Sequence, residues 1–170
     1  EYVSLDCETT GLNVKQDEII SVGAVRIVGD KIVSSERFEV LIKAEKGVSA
    51  ESARIHRLRD RDLADGIPIQ DAMKQLMRFI GSRPLVGYYL EFDVAMLNRA
   101  IWPILGLGLP QPKIEVSALY YDYKFRQLPP YQQQANAEID LRFATLMTDL
   151  DLPWRDAHDA LNDAVMTAMA

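Results

Sequence analysis

The sequence predicts an α/β domain: a mixed five-stranded sheet whose first three strands run antiparallel, with helices on both faces. Three observations carry this. Two long stretches rich in β-branched residues, 19–28 (IISVGAVRIV) and 32–42 (IVSSERFEVLI), meet at Gly29-Asp30, a pair suited to a tight hairpin. Short apolar runs then alternate with stretches of helical spacing, the order that lays later strands parallel to the first. The length, 170 residues, suits one domain around one sizeable core.

The elements follow in order. Residues 2–6 read as a short first strand, followed by the two hairpin strands. Residues 50–64 read as a helix, and so do 69–81, where Ile69, Ala72, Met73, Leu76, Phe79 and Ile80 keep helical spacing. PLVGYY, residues 84–89, is a short apolar run of the kind found in the middle of a sheet. Val94, Leu97 and Ile101 return to helical spacing over 93–102, and Pro103 is expected to end or kink that helix. Another short strand is expected near 113–117 and a loop over 126–138, a polar stretch with two prolines. Helices are expected over 140–150 and 159–170. The chain opens on Glu1 rather than Met and stops inside helical spacing, as a domain trimmed at both ends would.

Composition narrows the classes of function. No apolar run approaches the roughly 20 residues that span a bilayer, so no membrane role is expected. One cysteine cannot form an internal disulfide, which fits a reducing cytoplasm. A net charge of −6 suits poorly a protein that coats long nucleic acid. It is compatible with an enzyme that grips few phosphates, or one whose acids hold cations.

Asp6 and Glu8 in LDCETTG raise the chemical question. Alternation along a strand points both carboxylates to one face and Cys7 to the other. Two neighbouring carboxylates repel unless a cation lies against them, and their oxygens suit Mg²⁺ or Mn²⁺. Cys7 reads as core packing. A second acid, Asp93, closes GYYLEFD, where it is either the N-cap of the next helix or a ligand. Glu91 reads as solvated loop. In AHDALNDA, His158 and Asp163 reach one site if the histidine precedes a helix that Asp159 caps and Asp163 sits in its first turns.

Taken in order, D-x-E on a first strand, Phe-Asp after a central strand and H-x4-D near the end resemble the DEDDh 3′–5′ exonucleases. That superfamily includes the proofreading epsilon subunit of bacterial DNA polymerase III and ribonuclease T. DCETTGL and HDALNDA are similar to its first and last motifs, and SARIHRLRDRDL at 52–63 to the segment after its third strand. The middle motif departs: Tyr88 and Tyr89 stand where the family often has His-Asn.

The resemblance implies a ribonuclease H-like fold and hydrolysis assisted by two divalent ions, Mg²⁺ or Mn²⁺. Asp6, Glu8, Asp93 and Asp163 would be the ligands and His158 the general base. It implies that Thr9, Thr10, Leu12 and Phe92 line the pocket for the terminal nucleotide. The expected substrate is the 3′ end of single-stranded or frayed DNA, with RNA tails or short oligoribonucleotides as the alternative. A polymerase partner is implied too, and a partner-binding module with little activity is the reading from another class. His56, among Arg54, Arg57, Arg59 and Arg61, reads as part of a mixed-charge helix face. Lys124 and Arg126, interleaved with Tyr123 and Phe125, are candidates for strand contact.

Overall fold

The computed structural model describes residues 1–46, 65–156 and 158–170. The expected helix over 50–64, with His56 and its arginines, lies outside the described residues. Five strands form one mixed sheet in the order β3-β2-β1-β4-β5. β1 (Tyr2–Thr9), β2 (Ile19–Val28) and β3 (Lys31–Leu41) make the antiparallel meander. The hairpin turns through Gly29 at φ 61°, a left-handed conformation that glycine adopts without a Cβ clash. β4 (Leu85–Gly87) and β5 (Lys113–Glu115) add parallel strands beside β1. β1 is three residues longer than expected, because its ladder with β2 continues through Asp6, Cys7 and Glu8 to Thr9.

One face of the sheet is covered by α1 (Ile69–Ile80) and α2 (Leu90–Leu105). Val3, Leu5 and Cys7 point from β1 into the core they share with Met73, Leu76, Met96 and Leu97. Cys7 is therefore packing on the face away from Asp6 and Glu8, as alternation requires. α2 starts earlier than expected and continues through Pro103. Only two helical residues follow the proline before Gly106 caps the helix at φ 66°, so little hydrogen bonding is lost there.

The other face carries α3 (Val116–Gln127), α4 (Phe143–Asp149) and α5 (Ala160–Met169). Val86, Val116, Tyr120 and Leu146 form a second, smaller core there. The twelve-residue α3 has no counterpart in the sequence expectation. It buries only Val116, Ser117 and Tyr120, so its apolar stripe is too short to read as a period. A 3-10 turn at Pro130–Gln132 lies in the expected loop.

Candidate active site

β1 presents Ser4, Asp6 and Glu8 to the face that α5 covers. Two features bring that helix close. Gly23, paired with Asp6 across the β1–β2 ladder, has no side chain; a Cβ there would lie 2.2 Å from the Leu161 amide nitrogen. The Ser4 hydroxyl donates to the Ala164 carbonyl at 2.7 Å, with both residues buried. With the helix seated in this way, Asp163 comes beside the two strand acids. Oxygens of Asp6, Glu8 and Asp163 all lie within 4.8 Å of one another.

Asp159 caps α5, its carboxylate accepting from the Asn162 amide at 2.9 Å. His158 precedes it, exposed and at φ 63°. Its backbone amide donates to Asp163 Oδ2 at 3.1 Å, which ties the histidine's backbone to the acid cluster. His158 thus precedes the helix and Asp163 lies in its first turn, joined through the histidine's backbone amide.

Asp93 comes from the opposite layer and is not one of the three acids whose oxygens converge, although its charge is felt at Asp6. It is not the N-cap of α2; Tyr89 holds that position at φ 51°, and Asp93 lies inside the first turn. Glu91, expected in a loop, is an exposed residue of the same turn. Asp93 sits on the inward stripe of the helix with Leu90, Leu97 and Ile101, and is only 4% exposed. Its Oδ1 accepts from the Cys7 backbone amide at 3.0 Å. The β1–β4 pairing runs through Val3 and Ser4, so the carboxylate meets β1 beyond the paired stretch. Asp6, Glu8 and Asp163 thus gather towards the carboxyl end of β1, a usual place for a site in α/β sheets.

Electrostatics follows from this crowding. Burial raises the Asp6 carboxyl well above the ordinary carboxylate range, and the charges of Asp93, Asp163 and Glu8 add to it. Burial pushes Asp93 up to about 7 against the pull of the Cys7 amide. Burial, then Glu8, pushes Asp163 up to about 7 against the His158 amide. Clustered carboxylates with raised proton affinity are the oxygen-rich, mutually repelling set that a hard divalent cation relieves, so these residues fit one.

The expected substrate-binding residues differ in their surroundings. The Thr9 hydroxyl donates to the Gly11 carbonyl, and the Thr10 hydroxyl to Asp17. These bonds shape the turn that carries Leu12, whose side chain is 85% exposed. Phe92 is half-buried against the larger core, next to Asp93. Lys124, a candidate strand contact, is paired with Asp149 at 3.2 Å.

Three contributors escaped the sequence reading. Gly23 had a signal, since an isolated glycine in a strand marks close backbone approach. Ser4 had none. Glu115, at the end of β5, accepts from the Tyr89 and Leu90 amides at 3.0 and 2.8 Å and from the Ser117 amide at 3.1 Å. It fixes the start of α2, and with it Asp93, by a contact no local pattern foretells.

A family model described as "Exonuclease" matches residues 3–170. The PolC-type DNA polymerase III of Thermotoga maritima is 33% identical over 118 residues, 69% of this chain and 8% of that protein. The DNA polymerase III subunit epsilon-like protein of Rhodobacter capsulatus is 27% identical over 173 residues, 99% of this chain and 23% of that protein. The chain therefore spans less than a quarter of the length of these relatives. Among solved structures, exonuclease X in complex with 5′-overhanging duplex DNA superposes with a TM-score of 0.73 at 24% identity, covering 99% of this chain and 87% of that one. Escherichia coli exonuclease I in complex with a dT13 oligonucleotide gives 0.78 at 14% identity, covering 98% and 39%. These two likenesses concern the fold: the same sheet and helix layers recur. With the family match running almost the length of the chain, the protein belongs to the exonuclease family, the DEDD-type 3′–5′ exonucleases of the ribonuclease H-like superfamily.

Proposed function

We propose that the chain removes nucleoside 5′-monophosphates one at a time from the 3′ end of single-stranded or frayed DNA. The observation that carries this is the convergence of Asp6, Glu8 and Asp163 oxygens within 4.8 Å at the end of the central strand. In this reading Asp6, Glu8, Asp93 and Asp163 hold two divalent ions, Mg²⁺ or Mn²⁺. What such ions supply when bound is acidification of the attacking water and charge compensation at the leaving oxygen.

The chain's own residues do the rest. His158 takes the proton of the water as its oxygen attacks phosphorus, and the bond from phosphorus to the leaving 3′ oxygen breaks. A histidine suits the task because its ordinary pKa lies near neutral pH. The hydrogen bond from the His158 amide to Asp163 supports the assignment, since it ties base and ligand to one turn. Leu12, exposed at the tip of its turn, wedges against the terminal base, and Phe92 bounds the other side. Thr9 and Thr10 shape the pocket floor by holding the turn.

DNA is favoured because relatives are named for DNA polymerase III and structural neighbours were solved with DNA. The same names support work beside a polymerase, and the unpaired Cys7 fits a cytoplasmic setting. Among the described residues no helix is long and apolar enough to cross a membrane. The test is digestion of single-stranded and duplex DNA and RNA with Mg²⁺ or Mn²⁺, a chelator control, and Asp163→Ala alongside. Metal-dependent release of 5′-monophosphates that the variant loses is expected. No release from any polymer by a folded, metal-loaded protein would overturn the reading, and preference for RNA would move the substrate.

A further inference from the structure

Resting on that nuclease reading, we propose that Tyr89 and Trp154 are the exposed ends of an aromatic track on which unpaired bases of the strand stack upstream of the cleaved bond. Four rings run in sequence. Tyr89 meets Tyr88 edge-on at 4.7 Å, Tyr88 meets Phe143 at 4.9 Å, and Phe143 meets Trp154 edge-on at 6.3 Å. The inner two are half-buried and held: the Tyr88 hydroxyl donates to the Leu141 carbonyl at 2.6 Å. The outer two are open, Tyr89 61% exposed and Trp154 51%. The outer rings pack against the inner two and still leave much of their surface in solvent, where an aromatic face accepts any base.

Both ends lie a few residues from proposed site residues. Tyr89 precedes Asp93 by four residues, about 6 Å of helical rise. Trp154 precedes His158 by four residues, at most about 14 Å of extended chain. Tyr89 also holds a left-handed backbone, φ 51°, uncommon for a bulky residue. Such conformations persist where surroundings over-determine them, and the Glu115 carboxylate does so by accepting from the Tyr89 and Leu90 amides. The backbone that carries the ring is thereby held before any strand arrives.

The test is binding in chelator, where no hydrolysis runs. A labelled short oligothymidylate and an abasic strand of equal length are titrated and followed by anisotropy. Trp154 fluorescence is read in a Trp102→Phe background, since the chain has two tryptophans. Expected are quenching by oligothymidylate alone, affinity for it about tenfold weaker in Tyr89→Ala and in Trp154→Ala, and retention in Tyr89→Phe. Equal affinity for the abasic strand, or alanine variants that bind oligothymidylate like the parent, would overturn the track. Metal-dependent release of p-nitrophenol from the p-nitrophenyl ester of thymidine 5′-monophosphate, which has no upstream base, reads the acid cluster separately. Its absence in the unsubstituted chain counts against the nuclease reading, whereas base-dependent quenching counts for the track.

Discussion

Asp163 shows how the site trades folding for function. In the unfolded chain its carboxyl titrates near 3.8, and in the fold burial and Glu8 push it up to about 7. Between those values the folded protein holds a proton that the unfolded chain has released. This stabilisation is fully present below the unfolded value and is lost as pH rises through about 7. Without metal, Asp163→Asn is expected to melt above the parent at about pH 8, and the gap is expected to shrink towards about pH 5. Thermal melts in chelator at the two pH values check this; a gap that does not change with pH would mean that Asp163 carries no strained charge. At this scale the sequence was informative where chemistry has a period. Alternation puts Asp6 and Glu8 on one face, and Asp163 falls in the first turn of a helix that His158 precedes. Asp93 was ambiguous because an acid after a strand caps helices as readily as it binds metal. Its position in line with Leu90, Leu97 and Ile101 was the overlooked sign, an acid on an apolar stripe.

Among the elements, α5 decides whether there is a site, and Gly23 decides where α5 sits. Gly23→Ala sets a methyl 2.2 Å from the Leu161 nitrogen, against backbone that cannot rotate away. The helix must shift, so a cost of about 1–3 kcal/mol in folding stability is expected. Because Asp163 travels with the helix, Mn²⁺ affinity should fall as well. Urea unfolding and Mn²⁺ titration by electron paramagnetic resonance test the two effects. Parental Mn²⁺ affinity in a folded variant would show that the contact is not what places Asp163. The strands were legible as short apolar, β-branched runs between turn residues, and the helix α1 because it buries a regular stripe. α3 was not, since its exposed Leu119 and Tyr123 blur the pattern that buried Val116 and Tyr120 begin.

The whole molecule carries a net charge of −6. Two divalent ions would bring that to −2, still no attraction for a polyanion. Any grip on the strand must therefore come from the site and from aromatic contact, and long-range electrostatics adds little. Distributive action is expected: the enzyme leaves after few cleavages. Digestion with an unlabelled trap added at the start checks it, and long products of continuous shortening despite the trap would contradict it. Strand directions and the two helical layers were readable at this scale from the hairpin and the later alternation of helix and strand. The approach of the two helical layers to one strand end was not, because Ser4, Gly23 and Glu115 act through contacts distant in sequence.

The bond between the Cys7 amide and Asp93 has a practical consequence for control proteins. Replacing Asp93 by alanine is two lesions in one. It deletes a carboxylate and strands a buried amide, a penalty of about 1–3 kcal/mol unrelated to chemistry. An inactive Asp93→Ala protein would thus say little about what the acid does. Asp93→Asn keeps an oxygen for the amide and removes only the charge, so it separates a ligand from a structural pin.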